Sequence, residues 1–144
     1  MGGQAHLAAQ SAKLGDAHAN YGLIPGAGGS VRLPRKIGPT RAKYLMDTGE
    51  FWPAEALECA GLVNRAVPDD ELDDAVAALA ARISEKSPLG LAHMKQLVDD
   101  GLDQPIDVAL RNEVMAVAVH SQSQDWAEGL AAFAEKRKPA FTGR

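Results

Sequence analysis

Proline opens helices but does not sit comfortably in their interior, and glycine accepts the left-handed turn that closes them. From residue 39 onward this chain places the two residues in that order. Pro39 stands ahead of a helix over 39–48 stopped by Gly49, and Pro53 ahead of another stopped by Gly61. Ser87-Pro88 opens a further helix, and Pro105 opens one reaching about His120. The rear of the chain therefore folds as a series of short helices. Residues 62–67, held between Gly61 and Pro68, read as a short strand or extended arm.

Hydrophobic spacing assigns faces to these helices. Over 70–86, Leu72, Ala75, Val76, Leu79, Ala80 and Ile83 form one stripe, with acids in the first turn and Arg82 and Lys86 at the end to complement the dipole. The helix after Pro88 is expected to turn Leu91, Met94, Leu97 and Val98 inward. The helix after Pro105 is apolar on two sides, Ile106, Leu110, Val114 and Val117 on one and Val108, Met115 and Val119 on the other. A domain this small seldom buries both sides of a helix, so one side is expected to meet another subunit. Asp125 followed by Glu128 has the spacing of a capping box for a last helix whose stripe is Trp126, Leu130 and Phe133.

Residues 1–35 differ: they are rich in Gly and Ala and carry little helical periodicity, and 21–31 (YGLIPGAGGSV) holds four glycines and a proline. So much backbone freedom is costly to order and marks a loop that approaches something closely. The chain has 144 residues with 46% hydrophobic and 24% charged, which fits one globular domain and excludes disordered or disulfide-scaffold classes. A net charge of -4, with no basic block before Lys136-Arg137-Lys138, argues against a nucleic-acid surface. A single cysteine, Cys59, makes no internal disulfide and matches no zinc spacing with the histidines, so a reducing cytoplasm is expected. No uncharged apolar stretch approaches the roughly 18 residues of a membrane span, so a soluble, intracellular protein is expected. Met1-Gly2-Gly3 has the start of a myristoylation signal but His6 replaces its Ser or Thr, and no function is assigned to it.

Gly26-Ala27-Gly28-Gly29-Ser30-Val31 fails as a dinucleotide fingerprint, because Val31 stands at its last glycine, and as a P-loop, because no Gly-Lys-Ser/Thr follows. Two readings stay open: backbone amides that orient a water or a carbonyl oxygen, and a tight packing turn. Asp16-Ala17-His18 pairs an imidazole with a carboxylate, a combination that exchanges protons near neutral pH, or is simply a structural histidine. His6, His93 and His120 stand alone and read as surface or core fillers. Glu55 and Glu58 lie one turn apart and read as solvated acids. The run Glu135-Lys136-Arg137-Lys138 caps a helix end or attracts a ligand's phosphates.

A family resemblance sits on these residues. Ser11 to Gly15, Tyr21 to Gly29, Arg32-Leu33-Pro34-Arg35, Thr48-Gly49, Gly61-Leu62-Val63-Asn64, Val67-Pro68, Lys86-Ser87-Pro88, Glu128-Gly129 and Ala132-Phe133, then Glu135 to Pro139 with Phe141, resemble the crotonase (enoyl-CoA hydratase/isomerase) family in order. The resemblance runs from residue 8 to the end and covers the C-terminal part of the family's domain, somewhat over half of it. It implies an α/β fold: residues 1–68 as the tail of a β-β-α spiral core carrying the glycine loop, and 69–144 as a helical oligomerisation region, the whole predominantly helical. It implies a homo-oligomer, a trimer or dimer of trimers, with no nucleic-acid or membrane partner. The ligand implied is an acyl-CoA thioester, a 2-enoyl or related one, taken as substrate with no separate cofactor, in hydratase (lyase) or isomerase chemistry of fatty acid metabolism.

The same resemblance assigns positions. Family members stabilise an enolate with two backbone amides, and neither amide is matched in this sequence. Of the two hydratase glutamates, one falls upstream of the aligned residues, near Gly2-Gly3, and the other aligns with His18. Imidazole titrates near pH 6.5 and a glutamate near about 4.3, so His18 implies a proton carrier of a different kind. Gly26, after Pro25 in the substrate-binding loop, matches the glycine whose amide helps hold the catalytic water. Phe133 and Lys136 match positions that touch bound CoA from a neighbouring subunit. The alternative implied function is a truncated or split member that supplies oligomerisation and part of the CoA pocket without catalysis.

Overall fold

The computed structural model describes residues 5–144, so Gly2 and Gly3, with the signal-like start they belong to, lie outside the described residues. The chain forms two compact units, one up to Ala77 and one from Ala78.

In the first unit, strand β1 (Leu7–Ala9) pairs in parallel with β4 (Arg65–Val67), and β2 (Lys13–Gly15) pairs antiparallel with β3 (Phe51–Pro53). The segment 62–67 is thus an internal strand partner at its far end. Gly15 lies opposite Phe51, and a Cβ there would sit 2.2 Å from the Glu50 carbonyl oxygen, a contact only glycine avoids. Helices α1 (Gly29–Ile37), α2 (Pro39–Thr48) and α3 (Ala54–Cys59) fill the intervals. α2 has the expected limits because Pro39 needs no amide partner at the first turn and Gly49, at φ 64°, donates its N–H to the Leu45 carbonyl. α1 is a correction: the glycine loop leads directly into a helix, one that tolerates Pro34 in its interior.

Two small apolar clusters anchor this unit. Ala8, Ala54, Leu57 and Val63 form one, and Ile37, Ala42 and Ala60 the other, with Trp52 and Leu62 packed against both. Glu58 is not simply solvated, since its Oε2 accepts the Ala66 N–H at 2.7 Å and so ties α3 to β4.

Helix α4 (Leu72–Ser84) follows a 3-10 turn over Asp69–Glu71. Leu72, Ala75, Leu79 and Ile83 of its stripe are half-buried, while Val76 and Ala80 are exposed. The second unit holds α5 (Pro88–Gly101), α6 (Ile106–His120) and α7 (Gln124–Glu135). Ser87 caps α5 by accepting the Gly90 N–H. α5 meets α6 along His93 and Gly101, with the His93 and His120 rings 5.2 Å apart edge-on and His120 edge-on to Trp126 at 5.8 Å. His93 and His120 therefore do not stand alone. That line of contact leaves Met94 and Val98 facing outward rather than inward, one helical position to the side. Both apolar sides of α6 are largely exposed: Ile106, Leu110, Val114 and Val117 on one, Met115 and Val119 on the other, where only Val108 is half-buried.

The expected capping box of α7 does not form. Ser123 is the cap, accepting the Trp126 N–H at 3.1 Å, because the Asp125 carboxylate is drawn elsewhere. Asp125 is 2% exposed and accepts the Ser87 hydroxyl at 2.5 Å and the Thr142 and Gly143 amides at 2.7 and 3.1 Å. The Ser87 hydroxyl, more than any other contact, holds its carboxyl below the usual range. Trp126, Leu130 and Phe133 consequently lie on an open face, and Ala132 is buried instead. Among the described residues no helix is long and apolar enough to cross a membrane.

Candidate functional site

The first unit contains a largely apolar cavity of about 280 Å³. Its walls come from the end of β2 (Leu14, Gly15), the following turn (Asp16, His18), the glycine loop (Pro25, Ala27 to Gly29), one face of α1 (Arg32, Leu33, Lys36), and Leu45 and Leu62. His18 opens a 3-10 turn over His18–Tyr21, and its backbone N–H donates to Asp16 Oδ1 at 3.2 Å, an Asx-type turn. The same Oδ1 lies 2.5 Å from His18 Nδ1, which leaves Nε2 as the free ring nitrogen. The carboxylate is mostly covered and the ring half open. A carboxylate that fixes one ring nitrogen orients an imidazole for proton exchange at the other.

The glycine loop bears on this pair sterically. Gly28, at φ 88°, begins α1, and a Cβ on Gly29 would lie 3.0 Å from the Pro25 side chain and 3.3 Å from Asp16 Oδ2. Glycine there lets the loop close down on the Asp16–His18 pair. Gly26 is exposed beside the cavity rather than in its wall, and a Cβ on it would meet nothing.

The structure thus brings His18 and Pro25 to one cavity with Gly26 at its side. It also brings in residues that spacing along the chain did not single out. Arg32 and Lys36 are four apart on α1, a pairing visible only once 29–37 is known to be helical. His6, read from sequence as filler, lines the same cavity, and its backbone exchanges hydrogen bonds with Asn64, N–H to Oδ1 at 2.7 Å and carbonyl to N–H at 2.8 Å.

Phe133 and Lys136 belong to the second unit, at the end of α7. Phe133 is 86% exposed, an unusual condition for an aromatic ring in a folded chain. Lys136 closes α7 in the left-handed region (φ 54°), where among the described residues every other positive φ belongs to glycine. The Lys136 amide donates to Phe133 and the Arg137 amide to Ala132, which satisfies the last carbonyls. A side chain in this conformation costs about 1 kcal/mol relative to glycine. Of the basic run, Arg137 forms a two-pronged pair with Glu128 (2.5 and 2.9 Å) and a further pair with Glu135, and Lys138 lies 3.6 Å from Glu85. The Arg137 guanidinium brings the Glu128 carboxyl down to about 2. Among the described residues the Lys136 ammonium has no carboxylate partner. No group of three or more potential metal-ligating side chains occurs among the described residues. A smaller, more polar cavity of about 190 Å³ between α5 and α6, lined by His93, Gln96, Asp100, Gln104 and Asn112 among others, contains none of the residues expected to bind ligand.

Comparison with known proteins connects these features. The sequence matches the enoyl-CoA hydratase/isomerase family over residues 4–144. It is 38% identical over 138 residues to crotonyl-CoA hydratase of Syntrophomonas wolfei, an alignment covering 96% of this chain and 53% of that protein. It is 40% identical over 139 residues to a probable enoyl-CoA hydratase of Bacillus subtilis, covering 95% and 54%. The fold superposes on the crystal structure of enoyl-CoA hydratase from Bacillus anthracis with a TM-score of 0.94 at 35% identity, over 98% of this chain and 55% of the other. The chain spans about half the length of the curated relatives it matches. With a family match across nearly the whole sequence and solved relatives superposing throughout, this chain belongs to the enoyl-CoA hydratase/isomerase family.

Proposed function

We propose that the chain acts on a 2-enoyl-CoA or closely related CoA thioester, with His18 as the proton carrier in place of a carboxylate. The observation that carries this reading is the Asp16–His18 pair at the wall of an apolar cavity closed by Pro25 and Gly29. An acyl chain suits such walls, and an imidazole held by a carboxylate suits proton exchange beside it. In the hydration direction, a water held near the Gly26 amide loses a proton to His18 Nε2 as its oxygen adds to the β-carbon. The electron pair of the double bond passes to the thioester as an enolate, whose α-carbon then takes the proton that His18 Nε2 accepted from the water, which restores the neutral imidazole. The enolate oxygen requires preorganised donors, and in this reading they come from outside these residues.

The second unit supports the CoA end of the reading. An exposed aromatic ring and an unpaired ammonium three residues apart, Phe133 and Lys136, suit a ligand with a flat heterocycle and phosphates. The exposed apolar sides of α6 support association into a homo-oligomer, a trimer or dimer of trimers, in which one copy serves another's ligand. The one cysteine, unpaired, supports a cytoplasmic setting, and in this reading the CoA thioester is the substrate with no separate cofactor invoked.

The test is hydration of crotonyl-CoA by the purified chain, followed as loss of the conjugated double bond. Turnover that falls with His18→Ala supports the reading. Absence of turnover, both alone and with a companion polypeptide carrying the rest of the family domain, overturns it.

A further inference from the structure

The end of α7 poses a physical question of its own: why a lysine occupies a left-handed turn that glycine fills at lower cost, with its charge unpaired while both following cations are paired. Strain of this kind persists only where surrounding structure over-determines it, and it points toward function rather than stability. The over-determining contacts are on either side of Lys136. Arg137 is gripped by both oxygens of Glu128 and by Glu135, and Glu128 Oε1 also accepts the Ala140 N–H at 2.7 Å. The chain is therefore clamped immediately after Lys136 and again four residues on, while α7 clamps it before. Arg137 is consumed by this arrangement and has no charge to spare for a ligand.

We propose that Glu128 and Arg137 are positioning residues whose fork holds the left-handed turn and so presents Lys136, beside Phe133, to an anionic phosphate of the CoA ligand. This rests on the preceding reading that Lys136 meets CoA. It goes further in assigning the neighbouring cation Arg137 to the scaffold rather than to the ligand, and in giving Glu128 an effect on binding without contact. The effect is transmitted through one side chain, so it disappears when that side chain is removed. A general loss of structure behaves differently, adding to any other lesion.

The measurement is calorimetric titration of the purified chain with coenzyme A, comparing wild type, Lys136→Ala, Glu128→Gln and the double variant. Glutamine keeps an oxygen for the Ala140 amide but loses the charge-assisted fork. Lys136→Ala should weaken binding about tenfold and Glu128→Gln about fivefold, whereas Glu128→Gln added to Lys136→Ala should change it less than about twofold. Arg137→Lys, which keeps a cation but cannot grip two oxygens, should reproduce Glu128→Gln and serves if that variant misfolds by circular dichroism. If Lys136→Ala weakens binding but Glu128→Gln and Arg137→Lys do not, or weaken it equally in both backgrounds, the positioning role is overturned and the CoA contact stands. If Lys136→Ala leaves affinity unchanged, the CoA contact itself fails.

Discussion

Replacing Leu57 by alanine tests whether the small cluster under the cavity holds the first unit together. Leu57 is 0% exposed and packs with Ala8, Ala54 and Val63, while Leu62, which packs on the same cluster, also lines the cavity. The substitution removes three carbons, a transfer loss of about 2.4 kcal/mol at roughly 0.8 kcal/mol each. Two of its buried neighbours are alanines and cannot extend into the space, and β1 and β4 are fixed by their pairing, so a cavity contribution adds to this. The expected total is about 3 to 4 kcal/mol. For a chain of this size that corresponds to a melting temperature lower by roughly 10 °C. Trp52 packs on the cluster and Trp126 lies in the other unit, so urea unfolding is followed by fluorescence in a Trp126→Phe background. The midpoint should fall with little change in slope, and the volume-conserving Leu57→Met should cost less than about 1.5 kcal/mol. A loss below about 1 kcal/mol for Leu57→Ala would show that this cluster is not the anchor inferred from its burial.

Three further outcomes follow from the same geometry. His18→Ala should lower crotonyl-CoA turnover by about a hundredfold or more while moving the melting temperature little, and equal activity would return His18 to a structural role. Glu128 in the folded chain titrates near 2 against an ordinary value of 4.5, and Asp125 is shifted the same way. Folded carboxyls with lowered pKa stabilise above the unfolded value and lose that contribution as pH falls, so melting temperature should drop as pH falls from about 4.5 toward 2. Glu128→Gln should flatten that drop, and an unaltered acid profile would remove the fork from the explanation. The exposed apolar sides of α6 should drive concentration-dependent association, and a monodisperse monomer by light scattering would argue that these faces need no partner.

The amino-acid sequence by itself determined what depends on near neighbours. Pro39 and Gly49 delimit α2, and Ser87-Pro88 starts α5, because capping and fixed φ act within a few residues. The Asp16–His18 pair was legible for the same reason, being two residues apart, and the ordered motifs from Ser11 to Phe141 carried the family. Tertiary structure decided which faces are covered and whom each charge meets. Met94, Val98 and Phe133 satisfy a helical stripe yet face outward, because periodicity gives a face but not the element that covers it. Asp125 and Glu128 have capping-box spacing, but Ser87, the C-terminal residues and Arg137 compete for their oxygens from 9 to 38 positions away. Spacing along the chain carries no record of that competition, since partners so distant are chosen only when the helices pack.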